Sequence, residues 1–271
     1  MNIRAGYRLG AVWRPLAAAV AFATVVLATV ALATVVLATG LATPAAAQTM
    51  VDLQLALMVD ASGSVNQYRF QLQKRGYVDA LRNPKILAAI LGGRSQSIAI
   101  SMVQWTGPFL HAPVLPWTLL KDEAAVKSAA AIIEQTPRAL YGGGTSISGA
   151  IDYAMRMFTQ SPFRSERQVM DISGDGSNNS GRSVVRARDE AAAKDVTING
   201  LPILAFEPDL DSYFRDYVIG GPGAFMIVAK DFESFGEAIL RKMIIEIASD
   251  DRQPQGLIRP TRTAGLPGAK R

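Results

Sequence analysis

The chain of 271 residues contains no cysteine and a single histidine. The first absence excludes disulfides, thiol nucleophiles and Cys-ligated zinc together. The second means that any Ser-His-Asp triad, His-x-x-x-His zinc site or histidine base must use His111. That residue lies in Phe109-Leu-His-Ala-Pro-Val-Leu-Pro116 with no motif around it, and it is read as an ordinary structural histidine. Acidic residues are absent before Asp52, and no basic stripe with interleaved aromatics occurs anywhere, which argues against nucleic acid as a partner despite the high pI.

The segment without acids has a distinct composition. Arg4, Arg8 and Arg14 lead into an uncharged run from Leu16 to Leu41, followed by Thr43-Pro44-Ala45-Ala46-Ala47. Small residues at Ala45 and Ala47 fit a signal-peptidase site, so residues 1–47 are expected to be an export signal cleaved after Ala47. The run is also long enough for an uncleaved membrane anchor, and the near-duplicates Ala23–Thr29 and Ala33–Thr39 account for its length. Either way the rest of the chain is placed outside the cytoplasm, in the periplasm or secreted. Three of the 28 Lys and Arg lie in that segment and none of the 23 Asp and Glu, so the net charge of +5 falls to +2 for the remainder.

From Asp52 onward, apolar runs suited to buried strands alternate with segments of helical spacing. Strands are expected at 52–59, 97–104, 168–173, 196–205 and 224–229, with a proline-broken edge strand at 110–117. Helices are expected at 65–82, 121–135, 146–158, 182–194 and 232–247. The fold class is therefore α/β, doubly wound, with a mostly parallel sheet, one antiparallel edge strand and helices on both faces. The domain spans 48–249, and residues 250–271, rich in Pro, Gly and Arg, are expected to be a disordered basic tail.

Sheets of this kind place ligands outside the carboxyl ends of their strands. Three strand-exit loops there carry oxygen-rich chemistry. Asp60-Ala-Ser62-Gly-Ser64 puts a carboxylate and two hydroxyls at alternate positions around a glycine. Gly142-Gly-Gly144-Thr145-Ser146 precedes a helix, and Asp175-Gly176 ends a strand. Hydroxyl, carboxylate and water oxygens suit Mg²⁺, Mn²⁺ or Ca²⁺. Each loop alone could equally be a turn with a helix N-cap.

Taken together, in this element order, the loops resemble the von Willebrand factor A family and its metal-ion-dependent adhesion site. Asp60, Ser62 and Ser64 match its Asp-x-Ser-x-Ser, Thr145 its threonine, and Asp175 its aspartate before glycine, over about residues 50–248. Ile172–Gly181 and Val218–Phe225 are similar to one bacterial branch of that family, a domain of unknown function. The resemblance implies metal contact through Ser62 and Ser64, with Thr145 joining when ligand is bound. Asp60 and Asp175 would act mainly through ordered waters. One coordination position is left for an Asp or Glu of a protein partner. It implies a recognition module and not an enzyme; the alternatives are a metal-dependent hydrolase, an accessory subunit of an envelope enzyme complex, or a structural surface protein. Gly174 departs from the family's usual threonine. Asp171, inside an apolar strand roughly 13 Å below Asp175, is expected to make a structural hydrogen bond. Glu207, Asp209 and Asp211 are expected to form a solvated acidic loop on the same rim.

Overall fold

In the computed structural model, which describes residues 48–249, the centre is a strand with no exposed position, β2 (Gln54–Asp60). A short β1 (Thr49–Met50) precedes it. β2 alternates its side chains between two cores: Leu55, Leu57 and Val59 face one, Ala56 and Met58 the other. The following elements are α1 (Gln67–Arg82), α2 (Pro84–Leu91), β3 (Ile98–Trp105), β4 (His111–Leu120), α3 (Glu123–Gln135) and α4 (Ile147–Thr159). After them come β5 (Phe163–Arg164), β6 (Gln168–Gly174), α5 (Val184–Ala192), β7 (Val196–Pro202), α6 (Leu210–Tyr213), a π-turn over Phe214–Val218, and α7 (Phe235–Ala248).

The five-stranded sheet runs β4-β3-β2-β6-β7, parallel throughout except for the β3–β4 pair at one edge. Pro113 and Pro116 lie in that antiparallel edge strand, where a missing N–H costs least. β1 pairs with β5 in a separate two-stranded parallel ribbon. The apolar faces of α1, α2, α3 and α7 cover one side through Tyr77, Ile86, Ile133 and Ile239. α4 and α5 cover the other through Ile151, Phe158 and Ala187. Each large side chain so buried contributes roughly 1.5–3 kcal/mol. The expected doubly wound α/β fold is present. The segments assigned to signal and tail lie outside the described residues.

Three local expectations need correction. The helix expected at 65–82 is followed at once by another that was not expected: Asn83 closes α1, then accepts the Lys85 amide at 3.0 Å as N-cap of α2, with Pro84 in the first turn. The strand expected at 224–229 is no continuous strand. Its backbone does follow β7, Gly200 N–H donating to Phe225 O and Ala229 N–H to Pro202 O at 3.1 and 3.0 Å, but only as isolated bridges. Upstream, Ile198 pairs antiparallel with Gly220, and the side chain of Asn199 takes the Phe225 amide at 3.0 Å, so no ladder propagates.

The third correction concerns Asp171. Its partner is an ion: Lys242 Nζ of α7 lies 2.7 Å from Asp171 Oδ1, both residues fully buried. Lys242 also contacts Glu246 one turn on, and Asn199 Nδ2 donates to Glu246 at 2.8 Å. Two acids and one base are thus enclosed between β6, β7 and α7.

Candidate metal centre

β2 is the place where the strand order turns: β3 lies on one side and β6 on the other. Loops leaving such neighbours diverge to opposite faces and open a crevice between them. The sequence puts Asp60 at the last position of β2 and Asp175 immediately after β6, so both carboxylates arrive at this crevice.

Asp60, Ser62, Ser64 and Asp175 form one connected set. Asp60 Oδ1 accepts the Ser62 amide at 2.7 Å, Ser62 Oγ is 3.2 Å from Ser64 Oγ, and Ser64 Oγ donates to Asp175 Oδ1 at 2.6 Å. Thr145 joins through the backbone. The Gly143 carbonyl accepts the Gly63 amide at 3.1 Å, and a β-carbon on Gly176 would stand 3.7 Å from Thr145 Oγ1. Gly143, at φ +96°, holds a conformation that a side chain would resist, and its bend brings the threonine loop against the first loop. Ser146, not Thr145, is the N-cap of α4, which leaves the threonine hydroxyl free of that duty.

The electrostatics of the set are unbalanced. Asp60 and Asp175 are 0 and 1 % exposed, and the second oxygen of each, Oδ2, has no hydrogen-bond partner. Burial, and then repulsion from Asp175, push the Asp60 carboxyl up to about 7. Burial likewise raises Asp175, while the Ser64 hydroxyl and the charge of Arg69 partly offset it. Among the described residues no three Asp, Glu or His converge as a metal cluster. A cation here would therefore meet two carboxylates and three hydroxyls, a hard oxygen set with few direct charges. The orphaned oxygens fit such an ion.

Gly174, the departure from the family pattern, has a steric role. A β-carbon there would come 3.0 Å from Asp60 Oδ2 and 3.5 Å from the Trp105 ring, so glycine leaves that oxygen unobstructed. Ser64 has a carboxylate beside it, that of Asp175. A carboxylate is a weak base for an alcohol. His111 is engaged elsewhere, with Nε2 3.1 Å from the Gly149 carbonyl and its ring stacked on Tyr153.

Sequence reasoning missed the residues that hold these loops. Asn179 Oδ1 accepts the Thr145 amide at 2.8 Å, and its own amide donates to the Thr145 carbonyl at 2.9 Å. Asn178 Oδ1 accepts the Ser148 amide at 2.9 Å. Glu207, expected in a solvated loop, instead accepts the Ser177 amide at 3.1 Å and pins the turn after Asp175. Arg138, 7 % exposed, donates to the carbonyls of Ala61 and Leu140 at 3.0 and 2.6 Å and so ties the first loop to the second. The signal available was the run Ser177-Asn-Asn-Ser180, whose amide side chains cap neighbouring backbone.

The fold is that of von Willebrand factor A-type domains. Among solved structures it is similar to proximal thread matrix protein 1 from the mussel byssus, at TM-score 0.55 and 14% identity over 74% of this chain and 49% of that one. That protein has also been solved with a zinc-occupied metal-ion-dependent adhesion site, similar at TM-score 0.54 and 15% identity, over 74% of this chain and 49% of that one. A von Willebrand factor type A protein from Catenulispora acidiphila gives 0.53 and 17%, over 73% of this chain and 43% of that one. The chain thus spans about half the length of these neighbours or less. No curated protein sequence matches it. It belongs to the family described as "Protein of unknown function (DUF1194)", whose profile matches residues 50–251.

Proposed function

We propose that this chain is an exported, non-enzymatic recognition protein that holds a divalent cation between Asp60, Ser62, Ser64, Thr145 and Asp175. Through that cation it would take an Asp or Glu of a protein partner. The observation that carries the reading is the pair of buried carboxylate oxygens, Asp60 Oδ2 and Asp175 Oδ2, left without a partner beside the linked hydroxyls of Ser62 and Ser64. A bound Mg²⁺, or Mn²⁺ or Ca²⁺, supplies an electrophilic position for an incoming carboxylate, because few of its ligands carry charge. The protein's own part is to hold the two buried acids and the hydroxyls in place.

Calorimetric titration with Mg²⁺ and Mn²⁺ tests the metal. Saturable binding is expected, lost by at least about tenfold in Asp60→Ala and Thr145→Ala; equal affinity in all three proteins would remove the reading. Retention of a partner from envelope extract with Mg²⁺ but not EDTA, and not by Asp60→Ala, tests the recognition. Export rests on residues 1–47, and a mature N-terminus at Gln48 is expected. A mature chain that still contains residue 20 or 30 would make that segment an anchor. The close contact of Ser64 with Asp175 favours a second reading, a metal-dependent hydrolase, which turnover of phosphate or ester substrates by the pure protein would support.

A further inference from the structure

The rim around this site is unusually apolar for a polar centre. Among the described residues both exposed phenylalanines, Phe109 and Phe206, lie in loops at the carboxyl end of the sheet, as does Tyr141, the most exposed tyrosine. Phe109 is 90 % exposed and Tyr141 70 %. The β3–β4 turn that carries Phe109 is bound to the glycine loop by Thr106, whose hydroxyl donates to Gly142 O at 2.9 Å. Tyr141 begins that glycine loop, and Arg138 lies 4.9 Å from its ring centre. Phe206 is covered on one face by the Arg69 guanidinium, 4.3 Å from the ring centre. Arg69 in turn donates to the Ser64 carbonyl at 2.9 Å, which places Phe206 beside the metal loop.

Exposed aromatics are costly in water and are the side chains most enriched at interface cores. Asp60, Ser62, Thr145 and Asp175 are all at most 5 % exposed, whereas Ser64 opens to solvent. A ligand group must therefore be slim enough to pass Ser64, and whatever flanks it comes to rest on the rim. Arg69 adds a fixed positive charge at the entrance, which favours an anion and disfavours basic neighbours.

We propose that the occupant is a polypeptide segment whose Asp or Glu is flanked by aromatic or aliphatic residues, read by Phe109, Tyr141 and the Arg69–Phe206 pair. This rests on the carboxylate-recognition reading above and adds the identity of the flanking groups. The test is selection from a random-peptide library on the immobilised full chain in Mg²⁺, with elution by EDTA. Enrichment of an acidic residue with apolar neighbours is expected. A selected peptide should bind at least roughly tenfold more weakly to the double variant Phe109→Ser/Phe206→Ser, since a single partly buried phenyl ring is worth about that much. Mg²⁺ affinity of that variant should be unchanged, which separates loss of the rim from loss of the fold; Tyr141→Ser repeats the test at an independent position. Acidic enrichment without apolar flanks, or equal affinity in the variants, overturns the rim and leaves the carboxylate reading standing. Absence of any acidic peptide released by EDTA overturns both.

Discussion

Asp171 and Asp175 belong to the same strand and its exit, yet they meet opposite fates. Asp171, inside β6, is answered from within the chain by Lys242 at 2.7 Å. Asp175 and its neighbour Asp60 keep an unpartnered oxygen each, and their nearest help is a serine hydroxyl and a distant guanidinium. Both clusters are buried, and burial alone disfavours every charge in them. The lower cluster brings its own cation and is part of the architecture. The upper one is short of positive charge at the open end of the sheet, where an ion from solvent can supply it. An excess of buried acid is a site when it can be reached, and a structural fault when it cannot.

Breaking the lower cluster is expected to have the largest effect. Lys242→Met removes the base that contacts both Asp171 and Glu246 and should destabilise the domain by about 3–5 kcal/mol in denaturant melts. Mg²⁺ should not restore the difference. Next is the metal itself: at a hundredfold excess over its dissociation constant, Mg²⁺ should stabilise the wild type by about 3 kcal/mol. In Asp60→Asn that increment should vanish, while the EDTA form becomes as stable as the wild type or more so, because the repulsion with Asp175 is gone. A destabilised EDTA form of Asp60→Asn would mean that the upper carboxylates are paired after all.

The pH response separates the clusters more finely. Burial, and then the charge of Asp171, push Glu246 up to about 7, from an ordinary value of 4.5. The folded protein then binds more protons than the unfolded chain between those values, so this contribution is complete below about pH 4.5 and is lost as pH rises towards 7. Stability of the wild type minus that of Glu246→Gln should therefore fall by roughly 1–3 kcal/mol across that window. A flat difference would place the retained proton elsewhere. The smallest effect is expected at Asn179, whose side-chain Oδ1 accepts the Thr145 amide. Asn179→Ala should cost about 1 kcal/mol and weaken Mg²⁺ binding by about tenfold, read by calorimetry.

The sheet, its order of strands and helices, and the loops of interest were legible because their signals are local. A parallel strand buried on two faces reads as a continuous apolar run, and a serine–aspartate loop reads by its spacing. Contacts made across the fold were less legible. Lys242 and Glu246 occupy the inner stripe of the closing helix together with Ile239 and Met243, and an acid stands in the middle of β6. Those two oddities answer each other, but neither announces its partner along the chain. The amide clamps of Asn178 and Asn179 were hidden for a different reason, since asparagine after a strand is ordinary turn chemistry. Near Gly220-Gly-Pro-Gly223, apolar residues 224–229 looked like a strand, and side-chain bonding from Asn199 took the ladder's place.

The lysine that completes the inner ion cluster sits in α7, the last helix among the described residues. A nascent chain extended only through β7 carries an acid in the middle of its sheet with no base yet made to meet it. Such a chain gains little by closing its core early, because enclosing an unpaired carboxylate costs several kcal/mol. Closure of the sheet around Asp171 therefore gains most once α7 is available to meet it. For a protein threaded through a membrane before it folds, as proposed for this one, the order in which its residues are made would itself guard the unfolded state that passage demands.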